Sequence, residues 1–90
     1  MTVELDCRNI RNIKALHTYL AFEMRYPDWY GKNLDALHDM LTSESDTVTL
    51  VCRISSALPE EMKEYWKRME QVMEDSSREN PRFTYKIVEE

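Results

Sequence analysis

Two aspartates one helical turn apart, in the segment LDALHDML at residues 34–41, are the groups most able to do chemistry in this 90-residue chain. At about 100° per residue, Asp35 and Asp39 share one side of a helix, whereas Leu37 and Leu41 lie on the other side. Like charges at this spacing destabilise a helix by about 0.2–0.5 kcal/mol. Such a pair could act as a general acid and base, hold a metal ion, or bind basic groups of a partner.

Further acidic and aromatic side chains flank this aspartate pair. Asp28 precedes the helix beside Trp29 and Tyr30, and Glu44 and Asp46 follow it. Exposed aromatic side chains anchor protein interfaces, and fixed charges orient an oppositely charged partner. The pattern therefore predicts a binding surface for a basic partner. The alternative interpretation is that both aromatic side chains fill the base of the core and that the acids only maintain solubility.

The composition disfavours catalysis and direct binding of nucleic acid. The chain has no Ser-His-Asp pattern, phosphate-binding glycine loop or metal-ligand spacing, and His17 and His38 fall on or beside the apolar sides of their helices. We therefore predict that the protein is not an enzyme and binds no cofactor and no metal. A net charge of −5 does not suit a phosphate backbone, which requires clustered Lys and Arg.

Membrane and secretion signals are also missing from the printed sequence. No apolar run approaches the roughly 18 residues of a membrane span, and the N-terminal residues MTVELDCRN lack the basic and apolar regions of a signal peptide. We expect no membrane contact and a cytoplasmic location. Cys7 and Cys52 are isolated in strand-like segments, which favours buried free thiols over a disulfide.

Hydrophobic periodicity and capping residues predict the elements that must position these groups. They are a strand near residues 3–7, a helix over 13–25 ended by Pro27, a helix over 34–42 capped by Asn33, a strand over 47–52, a helix from Pro59 to about Ser77, and a strand over 83–88. Periodicity does not decide whether residues 55–78 form one helix or two, or how the strands are ordered. Helix separates each pair of successive strands, which favours parallel pairing through right-handed crossovers. We predict a single α/β domain over residues 1–90, a three-stranded parallel sheet packed with three or four helices.

The segment YPDWYGKNLDALHDMLT, residues 26–42, contains the pattern YPxxYGxNLDALxDxLT and resembles the barstar family of intracellular inhibitors of an extracellular bacterial ribonuclease. The resemblance extends over essentially the whole chain. It implies a barstar-like fold and a competitive inhibitor, monomeric when free, that plugs the active site of a basic, barnase-like ribonuclease. Its carboxylates would occupy the places of RNA phosphates.

The resemblance also implies which residues contact the partner. Asp35 and Asp39 match the family's two helix carboxylates, and Asp39 would face the catalytic arginines and histidine of the enzyme. In the last helix Asp75, and less closely Glu79, align with acidic positions, of which the first contributes to the same interface. The predicted partner-binding residues are Trp29, Tyr30, Gly31, Asn33, Asp35, His38, Asp39, Thr42, Glu44 and Asp75.

Four positions depart from the family pattern. His38 and Glu44 stand where the family has tryptophans, Lys32 replaces an acidic residue, and Asp75 is shorter than the matching glutamate. Because these changes fall in the predicted contact surface, two alternatives stay open. One is an immunity protein of the same fold directed at a different toxin, and the other is an interaction module unrelated to toxins.

Overall fold

The computed structural model describes all 90 residues, as three strands and three helices. Along the chain the elements are β1 (Thr2–Asp6), α1 (Ile13–Met24), α2 (Leu34–Thr42), β2 (Val48–Ile54), α3 (Glu60–Glu79) and β3 (Phe83–Glu89). The predicted α/β fold is confirmed. The region 55–78, which periodicity left open, forms a short loop followed by one long helix. None of the helices combines the length and the apolar character needed to cross a membrane.

The three strands form one parallel sheet in the order β1-β2-β3. Strand β2 is therefore central, which settles the strand order that periodicity left open. One face of the sheet is buried and includes Leu5 and Leu50, whereas Glu4, Arg53 and Lys86 on the opposite face are exposed. Right-handed crossovers between strands that follow one another across a sheet place their helices on the same face. The helices therefore cover one face and leave the other open to solvent.

Helix α1 ends through its own backbone geometry before Pro27 is reached. Arg25 adopts the left-handed conformation with φ 58° and ψ 41°. The N–H of Tyr26 then donates to the carbonyl oxygen of Ala21 at 2.9 Å, as in a Schellman motif, in which the left-handed residue is usually glycine. The last helical residue is consequently Met24, one residue earlier than the sequence predicted.

An apolar stripe on α3 supplies a large part of the core. Its side chains Met62, Tyr65, Trp66, Met69 and Met73 are all buried. Burial of this stripe between the sheet and α2 is the main stabilising contribution that α3 can make, at about 1.5–3 kcal/mol for each large apolar side chain.

Both cysteines are buried free thiols, as predicted. Desolvation raises the pKa of Cys7 and of Cys52 to about 12. Because the thiolate is the reactive form, neither side chain is suited to nucleophilic or redox chemistry in the folded protein.

Candidate functional site

Helix α2 presents its two aspartates from a well-anchored scaffold. Asn33 is the predicted N-cap, and its Oδ1 accepts a 2.7 Å hydrogen bond from a backbone N–H of the first turn. Leu37 and Leu41 are fully buried on the inner side of the helix. Asp35 and Asp39 lie on the exposed side. Their positions are therefore set by the packing of the helix and not by contacts of their own.

No ion pair within the protein involves either aspartate. Lys32 and Arg68 line the same groove as Asp35, but neither forms an ion pair with it. The repulsion between the two carboxylates, one turn apart, is thus not relieved by an ion pair with a Lys or Arg side chain of the protein. Both carboxylates remain available to cations of a partner.

The segment before α2 separates its two aromatic residues. A backbone hydrogen bond of 3.0 Å from the N–H of Tyr30 to the carbonyl oxygen of Pro27 closes a turn that contains Trp29. The Trp29 side chain is 77% exposed, whereas Tyr30 is 5% exposed and belongs to the core. The interpretation that both aromatic side chains fill the core therefore holds for Tyr30 alone. Tyr30 can support a contact surface from beneath but offers it little area.

Gly31 allows this segment to pass close to the start of α2. A Cβ atom at position 31 would lie 3.2 Å from the Cβ of Ala36 and 3.3 Å from the Nδ2 of Asn33. The Nδ2 of Asn33 also donates to the carbonyl oxygen of Gly31 at 3.2 Å. A side chain at position 31 would therefore require these two neighbouring side chains to shift by a few tenths of an ångström.

A groove of about 430 Å³ joins the exposed tryptophan to the second aspartate. Its walls include Trp29, Gly31, Met40 and the carboxylate-bearing Asp39. An apolar surface with one carboxylate at its edge suits a long cationic side chain. An arginine could stack its guanidinium on an indole ring and donate paired hydrogen bonds to a carboxylate.

A buried histidine holds this segment from inside the core. The Nδ1 atom of His17 lies 2.8 Å from the hydroxyl of Tyr30, and its Nε2 atom forms a short hydrogen bond with the hydroxyl of Tyr65. Desolvation lowers the pKa of His17, which favours the neutral ring. A neutral imidazole has one donor and one acceptor nitrogen, so one tyrosine donates to it and the other accepts. His17 thereby ties the segment 26–33 to α3.

The sequence placed His17 on the apolar side of its helix but assigned it no role. A histidine in a core position signals that hydroxyl or carbonyl partners must be buried with it, because an unpaired buried polar group is costly. That signal could have indicated a polar network, but not which tyrosines complete it.

The segment that follows α2 is fixed by Asn80, a residue between α3 and β3. Asn80 is buried, and its Nδ2 donates to the carbonyl oxygens of Leu41 and Glu44, each at 3.0 Å. The hydroxyl of Thr42 donates at 2.8 Å to the carbonyl oxygen of His38. The predicted site residues Thr42 and Glu44 are thus held through local and backbone hydrogen bonds.

Helix α3 places one acidic side chain, Glu79, against α2. The Nε2 atom of His38 lies 2.9 Å from Oε2 of Glu79, and the His38 side chain is 35% exposed. One turn earlier, Oδ1 of Asp75 accepts from Nε2 of Gln71 at 3.0 Å. His38, one of the departures from the family pattern, therefore links the aspartate-bearing helix to α3.

A family model described as Barstar (barnase inhibitor) matches residues 1–88 of the chain. The chain belongs to the barstar family. Barstar-family proteins are inhibitors and not enzymes, which confirms the prediction that this chain is not an enzyme. No three His, Cys, Asp or Glu side chains are grouped so that they could hold a metal ion.

A curated relative of this barstar-family chain is the Bacillus subtilis (strain 168) protein named "Putative ribonuclease inhibitor YrdF". The two are 46% identical over 50 residues, which cover 54% of this chain and 55% of that relative. The chain thus matches about half the length of this relative.

Proposed function

We propose that this barstar-family protein inhibits a basic, barnase-like bacterial ribonuclease by occupying its active site. It would act in the cytoplasm and be monomeric when free. The observation that carries the proposal is the pair of aspartates, Asp35 and Asp39, that are free of internal ion pairs on a packed helix beside the exposed Trp29. Membership of the barstar family and the name of the Bacillus subtilis relative support the choice of partner.

A ribonuclease offers a cationic partner to the acidic face of α2. A ribonuclease must bring cationic groups together to bind RNA, and those groups can form charge-assisted hydrogen bonds with carboxylates as well as with phosphates. Because α2 is held by buried leucines, little conformational entropy is lost when its aspartates are bound. A cationic cleft would also relieve the repulsion between Asp35 and Asp39, so binding would stabilise a pairing that is unfavourable in the free protein.

In this complex the two aspartates would have different surroundings. Asp39 shares a groove with Trp29, so an arginine of the enzyme could contact both at once. Asp35 lies at the other end of the exposed face, in a groove with basic residues. We therefore assign to Asp39 the larger part of the affinity.

The first prediction tests this assignment by titrating RNA cleavage of a purified barnase-like ribonuclease. The wild-type chain should abolish cleavage at a near-stoichiometric ratio. Asp39→Ala should weaken inhibition by about tenfold or more, because a desolvated cation of the enzyme would lose its partner. Full cleavage in the presence of a large excess of the wild-type chain would contradict the proposal.

Glu60→Ala is the matched control for Asp39→Ala, because Glu60 is an exposed acid in the first turn of α3. It removes a charge of the same sign at a position distant from α2 in the sequence, and it should leave inhibition nearly unchanged. Thermal unfolding of both variants separates binding from folding. Loss of Asp39 removes a like-charge contact and an unfavourable charge near the end of a helix, so it should not destabilise the free protein. Equal losses of inhibition in the two variants would place the interface elsewhere.

A toxin of another class is the second candidate partner. It is favoured by the contact between His38 and Glu79, which places a histidine and not a large apolar side chain beside the two aspartates. An immobilised wild-type chain would capture such a toxin from the secretions of the source cell. Capture without any effect on barnase-like cleavage would favour this candidate over the ribonuclease.

A further inference from the structure

The exposed face of α2 is not uniformly acidic, because two basic side chains line a groove at its N-terminal end. A groove of about 320 Å³ lies between the start of α2 and helix α3, with Leu34 and Tyr65 among its apolar lining residues. Lys32 and Arg68 line the same groove, and Asp35 is its single acidic residue. The groove therefore carries a net positive charge in a chain whose net charge is −5.

Both basic side chains are exposed and neither takes part in an ion pair of the protein. The guanidinium carbon of Arg68 lies 5.7 Å from the centre of the Tyr65 ring, a cation–π distance. Tyr65 is itself held by its hydrogen bond to the buried His17. Arg68 is thus placed over a fixed ring, with its hydrogen-bond donors still available.

Lys32 reaches the groove from an unfavourable backbone conformation. Its φ is 54°, in the left-handed region that residues other than glycine, asparagine and aspartate rarely adopt. This conformation costs a typical residue about 1 kcal/mol more than it costs glycine. A lysine at this position agrees with a role for its charge at the surface.

We propose that Lys32 and Arg68 form a receiving site for a carboxylate of the partner enzyme, at the edge of the surface formed by Asp35 and Asp39. This inference rests on the proposed function, because it takes the exposed face of α2 as the contact surface. Charge complementarity argues for an acidic group of the partner, since a uniformly basic cleft would be repelled at this end of α2. The planar guanidinium of Arg68 can bind a carboxylate through two parallel hydrogen bonds, and the ammonium of Lys32 can add a third. The pair would select nucleases that carry an acid at the rim of the active site.

The sign of one measurement separates this site from a purely internal role. If Lys32 and Arg68 only screened Asp35, or only repelled a basic enzyme, loss of their charges would strengthen binding. If they receive a carboxylate, loss of their charges would weaken binding, against the trend expected from net charge alone.

The second prediction uses Lys32→Gln and Arg68→Gln, with the dissociation constant for a purified barnase-like ribonuclease measured at constant salt. Each variant should bind about five- to tenfold more weakly than the wild type, the size expected for one partly desolvated ion pair. Gln at position 32 retains a long side chain in the same backbone conformation, so the comparison isolates the charge. Arg68→Lys, which keeps the charge but loses the planar fork, should give an intermediate affinity.

Lys86→Gln serves as the matched control, because Lys86 is exposed on the open face of the sheet, away from the helices. It removes one positive charge and should leave affinity unchanged or raise it slightly. Unfolding curves confirm that each variant is folded. Unchanged or tighter binding by both Lys32→Gln and Arg68→Gln would overturn the carboxylate site alone. Absence of binding by the wild type would instead remove the proposed function, and this site with it.

Discussion

One aspartate of α2 is placed where a helix selected only for stability would not have it. Asp35 is near the N-terminal end, where the helix dipole favours an acid, but Asp39 is near the C-terminal end, where a cation would be preferred. No basic side chain of the protein pairs with either. A local conflict of this kind is common at binding surfaces, where part of the stability of the free protein is given up for the complex.

Beneath that surface, His17 connects the segment carrying the exposed Trp29 to the core. Trp29 makes no hydrogen bond, and its position depends on the adjacent Tyr30, which is held by His17. The exposed residue can therefore be displaced by a change at a residue that is completely buried.

The third prediction concerns the pH dependence of stability that His17 imposes. Burial lowers the pKa of His17 from its usual 6.5 in the folded protein, and unfolding restores that value. As the pH falls below about 6.5, the unfolded chain takes up a proton that the folded chain resists. The free energy of unfolding should therefore decrease on acidification through this window and be greatest above it. Urea unfolding between pH 5 and pH 8 measures the effect.

His17→Gln should flatten this pH dependence and lower the free energy of unfolding at pH 7 by about 1–3 kcal/mol, because two buried tyrosine hydroxyls lose their partner. His38→Gln is the control, since it removes the other histidine of the chain and leaves His17 in place. If the pH dependence survived in His17→Gln but disappeared in His38→Gln, it would arise from His38 and the prediction would be contradicted.

At the scale of elements, α2 is fixed at both ends by asparagines. Asn33 caps its N-terminus, a local role that its sequence position indicates. Asn80, the residue that follows α3, holds the C-terminal end of α2 by donating to the carbonyl oxygens of Leu41 and Glu44. The C-terminal end of the exposed α2 face thus depends on a residue 39 positions after Leu41 in the chain.

The fourth prediction is that Asn80→Ala destabilises the protein and weakens inhibition together. Two buried or partly buried carbonyl oxygens would lose their donor, at a cost of about 1–3 kcal/mol in the free energy of unfolding. The segment that carries Thr42 and Glu44 would be less well ordered, so binding of the enzyme should also weaken. Chemical unfolding and inhibition titrations on the same preparation measure the two effects.

Asn9→Ala is the control for this substitution, because the Asn9 side chain is exposed and makes no hydrogen bond. It should change neither quantity appreciably. If Asn80→Ala lowered stability but left inhibition at its wild-type level, the segment after α2 would lie outside the interface.

For the whole molecule, the arrangement of charge has more influence than its total. The net charge of −5 would attract any basic protein weakly. The unpaired aspartates of α2 are concentrated on one exposed face, whereas the acids Asp6 and Glu90 are paired with Arg8 on another part of the surface. An approaching basic enzyme would therefore be oriented as well as attracted.

The fifth prediction is that association with the ribonuclease becomes slower as salt is added. Screening shortens the range of the charges, so the association rate constant should fall by about tenfold or more between low and high ionic strength. The dissociation rate constant should change much less, because it depends on contacts already formed. Stopped-flow measurements of Trp29 and Trp66 fluorescence, with a non-fluorescent or inactive enzyme as the partner, would give both rate constants. An association rate that is independent of salt would argue against electrostatic orientation.

Much of the fold followed from short-range patterns. The strands, the three helices, the N-cap at Asn33 and the burial of Cys7 and Cys52 are each signalled within a few residues of sequence. The end of α1 was displaced by one residue because Arg25 adopts a left-handed conformation that arginine seldom takes. Strand order could not be read in this way, since it depends on which strands meet in space.

The sequence by itself determined the secondary structure, the fold class, the family and the clustering of acids on α2, because periodicity, capping and motif spacing all act over a few residues. Only the tertiary structure decided that Trp29 is outside and Tyr30 inside, that the aspartates lack an internal cation, and that Lys32 and Arg68 line one groove. It also revealed the roles of His17 and Asn80, whose partners lie as far as 48 and 39 positions away. The reason is that a hydrogen bond or an ion pair forms wherever folding brings two groups together, and their separation along the chain carries no local signal of it.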